Sequence, residues 1–116
     1  MSAYAVAHLK NDSRHEDVLS YIERIQGTFV PFGGRFLVHG VTPEVREGTW
    51  PGYVILVEFP DLERASAWYD SPEYQEILPL RTRHIEADVV LVPGVPADYD
   101  AKHTAAAVRS AVLNGD

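Results

Sequence analysis

The chain has 116 residues, 46% hydrophobic and 23% charged, with no cysteine and a formal net charge of -7. That length suits one domain with a single two-layer core, and the composition is that of a globular protein rather than a disordered one. The negative charge argues against nucleic acid or an anionic membrane as partner, and the missing cysteines exclude disulfides, thiolate metal sites and thiol nucleophiles.

Met1 to His8 lacks the basic start and apolar core of a signal peptide, and no apolar run is long enough to span a bilayer, so a cytoplasmic protein is expected. Tyr4 to Leu9 reads as a short strand, with Tyr4, Val6 and His8 on one face and Ala5, Ala7 and Leu9 on the other. Asn11-Asp12-Ser13 marks a turn, and Ser13 with Glu16 has the form of a capping box that opens a helix. Val18, Leu19, Ile22 and Ile25 give that helix its apolar stripe, and Gly27 is its predicted stop. Gly33-Gly34 turns the backbone into a second strand, Arg35 to Val41, in which Phe36 and Val38 oppose Arg35, Leu37 and His39. After a loop from Thr42 to Gly52, Tyr53 to Phe59 is β-branched and aromatic almost throughout and is predicted as the central strand.

Pro60-Asp61 breaks the chain and caps a helix carrying Leu62, Ala65, Trp68 and Tyr69. Ser71-Pro72 restarts it, with Pro72 at the first helical position, where its missing N–H costs nothing. Tyr74, Ile77 and Leu78 form the apolar face of this second piece, and Pro79 ends or kinks it. Ala87 to Val92 is the fourth strand. The order β-α-β-β-α-β predicts an α+β, ferredoxin-like domain over residues 1–96, a four-stranded antiparallel sheet with helices on one face. The first, third and fourth strands leave the other face apolar, and a homodimer through that sheet face is the simplest way to cover it. Residues 97–116 form a C-terminal tail with Ala101, Ala105, Val108 and Val112 at helical spacing. Either a frayed tail or a helix docked on its own subunit or on its dimer mate fits this pattern.

His8, His39 and Glu58 are the candidates for catalysis. The histidines each close a strand, and parallel first and second strands would bring them to one end of the sheet, where imidazole can serve as base, acid or metal ligand. Glu58 interrupts an apolar strand; buried, it would have a raised pKa and suit a general base, and at a strand end in solvent it would have no such role. The candidates for ligand binding are Arg35, Trp50, Tyr69, Ser71, Tyr74 and Arg81. Arg35 pairs either with a ligand carboxylate or with Glu58, depending on a register that sequence does not fix. Ser71 suits a helix cap, Tyr69 and Tyr74 combine a core ring with a phenol, and Trp50 covers a pocket or the dimer rim. Arg81 follows Leu78-Pro79-Leu80, so its head can turn into the cleft between helices and sheet, where it needs an anion or a carbonyl cluster. No Ser-His-Asp triad, phosphate loop or dinucleotide fingerprint occurs, and no third ligand joins the histidines at suitable spacing, so no metal and no cofactor is expected.

The segments Gly33-Gly34-Arg35-Phe36-Leu37-Val38, Gly48-Thr49-Trp50-Pro51, Glu58-Phe59-Pro60, Ala67-Trp68-Tyr69-Asp70-Ser71-Pro72-Glu73-Tyr74, Leu80-Arg81 and Ala87-Asp88-Val89-Val90-Leu91-Val92 occur in that order. This pattern resembles a bacterial family known only as a domain of unknown function, within the dimeric α/β-barrel superfamily. The likeness runs from about Tyr4 to Gly94, and the tail departs from it. It implies a ferredoxin-like subunit and a barrel-like dimer, but no reaction. Distant members of the superfamily include cofactor-free monooxygenases of antibiotic biosynthesis, muconolactone isomerase and haem-degrading proteins, which use a pocket between sheet and helices. The expectation is therefore a homodimeric small-molecule-binding protein. It would be either a cofactor-independent enzyme acting on a small, anionic organic substrate by proton transfer or oxygenation, or a non-catalytic ligand- or protein-binding module. Convergence of the polar candidates on one pocket discriminates between the two.

Overall fold

The structure, a computed structural model, describes residues 1–115. Strands β1 (Ala3–Leu9), β2 (Arg35–Val41), β3 (Tyr53–Phe59) and β4 (Ala87–Pro93) form one sheet in the order β2-β3-β1-β4, with every neighbouring pair antiparallel. Helices α1 (Glu16–Phe29), α2 (Leu62–Asp70) and α3 (Pro72–Thr82) cover one face, and α4 (Ala101–Leu113) follows the last strand. This is the ferredoxin-like arrangement expected from the element order.

Strand alternation decides which side chains enter the core. On β1, Ala3 and Ala5 face the helices, beside their β3 partners Phe59 and Val57. The small alanines leave room above the sheet for the rings of Phe29, Phe59, Trp68 and Tyr74, with the Phe59 and Trp68 centroids 5.4 Å apart. The Trp68 indole N–H donates to Thr28 Oγ1 at 2.9 Å, and the Thr28 hydroxyl donates to Ile25 O at 2.6 Å. The Trp68 indole and the Thr28 hydroxyl are thus both paired within the core.

Helix α1 departs from the sequence expectation at its start, its end and its buried face. Its N-cap is His15 rather than Ser13: His15 Nδ1 accepts from the Asp17 N–H at 3.0 Å, and Ser13 Oγ accepts from the His15 N–H. It runs through Gly27 to Phe29 because Thr28 and Phe29 belong to the core, and their burial outweighs the roughly 1 kcal/mol that a mid-helix glycine costs. A 3-10 turn, Val30–Phe32, follows and is closed by Gly33 at φ 77°, a conformation that favours glycine. The buried residues of α1 are Val18, Tyr21, Ile25, Thr28 and Phe29, whereas Leu19 and Ile22 stay 42% and 46% exposed.

Strand β2 also breaks its expected alternation. Irregularities between Phe36 and Val38 and between His39 and Val41 each place an extra residue against β3. Phe36 consequently pairs with Val57 and His39 with Ile55, both on the helix side, and the two rings stack at 4.0 Å. Arg35 and Val38, opposite Glu58 and Leu56, turn to the other face. At the α2–α3 junction the restart is as expected. The Ser71 hydroxyl donates to Trp68 O at 2.6 Å and accepts from the Tyr74 N–H at 3.3 Å. Pro79 does not end α3, which continues through it to Thr82.

Candidate functional site

A cleft of about 260 Å³ lies between the first turns of α1 and the bulged end of β2. Leu9, Tyr53 and Ile55 form its sheet side, Val18, Tyr21, Ile22 and Ile25 its helix side, and Asn11 to Arg14 its rim. The rim is pinned to the α3–β4 turn: the Lys10 N–H donates to Glu86 O at 2.8 Å, Asn11 Nδ2 to His84 O at 3.0 Å, and the Glu86 N–H to Asn11 Oδ1 at 2.7 Å. Beside the cleft is a smaller chamber of about 30 Å³. Leu9, Tyr21, Ile25, Ile55 and Arg81 line both, so the two spaces meet at Arg81, with Trp68 and Tyr74 on the inner side.

Arg81 sits in the last turn of α3, where the helix dipole favours a cation, and is only 6% exposed. Its Cζ lies 5.6 Å from the centroid of the Tyr21 ring. The Tyr21 and Tyr74 hydroxyls are 2.8 Å apart. Among the described residues no carboxylate comes within 4.0 Å of the guanidinium. Burial works against its charge, and what raises its pKa above the ordinary arginine value is attraction and hydrogen bonding to the Tyr21 and Tyr74 oxygens, an attraction that acts in full only at the high pH where arginine itself titrates. Protonated phenols are dipoles rather than counter-ions, so this is a buried cation without a full partner. Burial, reinforced by Tyr74, pushes the Tyr21 phenol far above its ordinary value, and its hydroxyl stays protonated. His39 stands at the mouth, where partial burial lowers its pKa and favours the neutral imidazole, a form that can accept a proton.

Of the residues singled out from sequence, His39, Tyr74 and Arg81 converge on the cleft and its inner chamber. The others do not. Arg35 and Glu58 pair across β2 and β3 on the opposite sheet face, with Arg35 Nε and Nη2 each 2.8 Å from Glu58 Oε1. Glu58 is therefore an ion-pair partner rather than a buried base, and Arg35 faces away from the cleft. His8 shares an end of the sheet with His39 but lies on the other face, opposite Val54. Its ring stacks on Trp50 at 4.0 Å and its Nε2 is 2.6 Å from Pro51 O, so both side chains serve to fold the β2–β3 loop onto the strand end. Ser71 is occupied as a helix cap, and Tyr69 packs edge-on against Trp68 at 6.0 Å.

Sequence reasoning missed Tyr21, although it falls between Val18 and Ile25 at helical spacing. It also missed the cluster of His15, Asp17 and His84, the group of three potential metal ligands among the described residues, with ligand atoms within 4.8 Å of one another. His84 Nε2 lies 3.0 Å from Asp17 Oδ2, a bond that lowers the Asp17 pKa. The His15 and His84 rings stack at 3.9 Å with planes 18° apart, and His15 Nδ1 already caps α1. Near-parallel stacked rings do not aim two nitrogen lone pairs at one point, so the cluster fits a hydrogen-bonded latch better than a metal site.

Several solved structures share this fold. A protein of unknown function from Rhodopseudomonas palustris, RPA0582, has a TM-score of 0.63 at 14% identity, over 82% of this chain and 83% of that one. A dimeric ferredoxin-like protein of unknown function from Jannaschia sp. CCS1 has a TM-score of 0.62 at 12% identity, over 81% and 100%. SnoaB, a cofactor-independent oxygenase from Streptomyces nogalater, has a TM-score of 0.58 at 13% identity, over 85% and 98%. Likeness at these identities shows the fold alone. No match was found among curated proteins. The profile of a family described as a domain of unknown function, DUF1330, matches residues 2–95, in agreement with the resemblance read from the sequence, and the chain belongs to that family.

Proposed function

We propose that the chain is a homodimeric small-molecule-binding protein whose cleft takes a small organic anion, and that His39 exchanges a proton with the bound molecule. The observation that carries this reading is Arg81, a buried cation with no counter-ion of its own, lining an apolar cleft. A ligand carboxylate, enolate or phenolate would supply that counter-ion through charge-assisted hydrogen bonds, while Leu9, Val18, Ile25 and Ile55 cover its carbon skeleton. The volume of about 260 Å³ lies below the usual range for drug-sized ligands and suits a small acid or phenol.

The chemistry follows from the charges. Removing a proton beside a carbonyl or from a phenol leaves negative charge on oxygen, and a fixed cation in a dry site stabilises that charge. Arg81 is placed to do so, the Tyr21 phenol stays protonated as a donor, and neutral His39 is the group that accepts the proton. SnoaB, a cofactor-independent oxygenase, has this fold, so the fold can host chemistry that uses no bound cofactor. The apolar sheet face, with Val90 and Val92 exposed, supports the homodimer, as does the dimeric protein of the same fold.

A thermal-shift screen of small carboxylic acids and phenols tests the reading. A stabilising hit on the wild type is expected to lose its effect in Arg81→Met and to keep it in His39→Gln, in which turnover alone is lost. An undiminished shift in Arg81→Met would sink the proposal.

A further inference from the structure

Helix α4 lies outside the segment that matches the family profile, and none of its residues is buried. Val108 and Val112 are 59% and 67% exposed. The helix is nevertheless well formed: the Asp100 carboxylate caps it by accepting from the Lys102 N–H at 2.9 Å, and no glycine or proline interrupts Ala101–Leu113. Ala101, Ala105, Val108 and Val112 make one apolar stripe, with His103 and Ser110 on the opposite side. A helix of 13 residues is marginal in water and draws its stability from packing such a stripe.

The path of the chain says where that packing must come from. β4 is an edge strand, and beyond its last residue the Gly94 N–H still bonds Ser2 O at 2.7 Å, so the chain leaves from the edge of the sheet rather than from the helix layer. The radius of gyration is 17.2 Å and the long axis 55 Å, against about 13 Å for the radius of a compact domain of this length. The helix projects from the body.

We infer that α4 is a docking arm for a second copy of this chain, an inference that rests on the homodimer proposed above. One chain carries two unsatisfied apolar surfaces, the sheet face and the arm, and residues 94–100 tie the arm to β4, where Val90 and Val92 are exposed. In a two-fold dimer closed over the sheet faces, each arm leaves at the seam and meets the other subunit, so one symmetry operation buries both surfaces. A foreign partner on the arm would leave the sheet face bare.

Hydrogen exchange of the full-length chain, read with its mass by light scattering across a dilution series, tests this. The α4 amides are protected where the chain is dimeric and exchange freely where it is monomeric. Val108→Lys puts a better helix former in place of a β-branched residue and raises the dimer dissociation constant about 100-fold, since a buried valine contributes about a factor of ten and the dimer has two arms. Protection of α4 that persists where light scattering shows a monomer, free exchange of α4 in a stable dimer, or an unchanged dissociation constant in Val108→Lys would each overturn the arm and leave the dimer standing. A monomer at every concentration would overturn the homodimer and the arm together.

Discussion

Replacing Arg81 with methionine removes a charge while keeping much of the side chain's volume. In the ligand-free protein Arg81 is 6% exposed, with no carboxylate within 4.0 Å of its guanidinium among the described residues. Three things compensate it in part. The Tyr21 ring at 5.6 Å supplies a cation–π contact of about 1–2 kcal/mol, the end of α3 supplies up to about 1 kcal/mol, and the two hydroxyls add their dipoles. Against them stands the desolvation of an ion, which costs several kcal/mol even after relaxation. Exchanging buried ions for packed apolar side chains is often stabilising by about 1–4 kcal/mol even when the ions are paired. Arg81→Met is therefore expected to be more stable than the wild type without ligand, by about 1–3 kcal/mol. In urea this raises the midpoint by roughly 1 M at unchanged slope. A midpoint lowered by the same amount would refute the reasoning, because Arg81 would then be a structural strut for Tyr21, Tyr74 and the end of α3.

Three further outcomes are expected. Gly52→Ala puts a Cβ 1.9 Å from Leu9 O at a backbone φ of 86°, and should cost about 3 kcal/mol or more in thermal unfolding; a loss below about 1 kcal/mol would mean the β2–β3 loop does not press on β1. Thr28→Val leaves the Trp68 indole N–H unpaired in the core and should cost about 1–3 kcal/mol by urea denaturation, whereas a neutral effect would remove that bond from the core's support. Partial burial holds the folded pKa of His39 below the ordinary histidine value of 6.5, so the unfolded chain binds its proton more readily. Its contribution to stability is present above pH 6.5 and lost as pH falls through the lower folded value, and His39→Gln should flatten that part of the pH–stability curve. Superimposable curves for the two proteins between about pH 7 and 5 would contradict this.

What could be read from the sequence, and what could not, follows from the kind of signal each feature leaves. The four strands and the helix restart at Ser71-Pro72 were legible because apolar runs and a capping serine before a proline are local signals. The face of α1 was misread because Tyr21 and Thr28 carry hydroxyls and the aliphatic residues alone were taken as its stripe, yet each enters the core by pairing its hydroxyl, with Tyr74 and with Ile25 and Trp68. Leu19 and Ile22 are apolar but lie away from the buried face, Ile22 at the cleft. The site was half legible. Arg81 stood out because a cation after an apolar run has to be explained, and the structure buries it. His39 was named for its chemistry but assigned to the wrong side, since an extra residue in β2 reverses the alternation and leaves no mark in composition. Arg35 and Glu58 needed only the β2–β3 register, a long-range property, to become a cross-strand ion pair.

Calorimetric titration with the organic anion chosen by thermal shift separates the cleft from the sheet face most directly. The wild type and Arg35→Met are expected to bind it with the same affinity, while Arg81→Met loses at least about 30-fold, the equivalent of one charge-assisted hydrogen bond of about 2 kcal/mol. Equal affinity in Arg81→Met, or a loss confined to Arg35→Met, would contradict an anion site in the cleft.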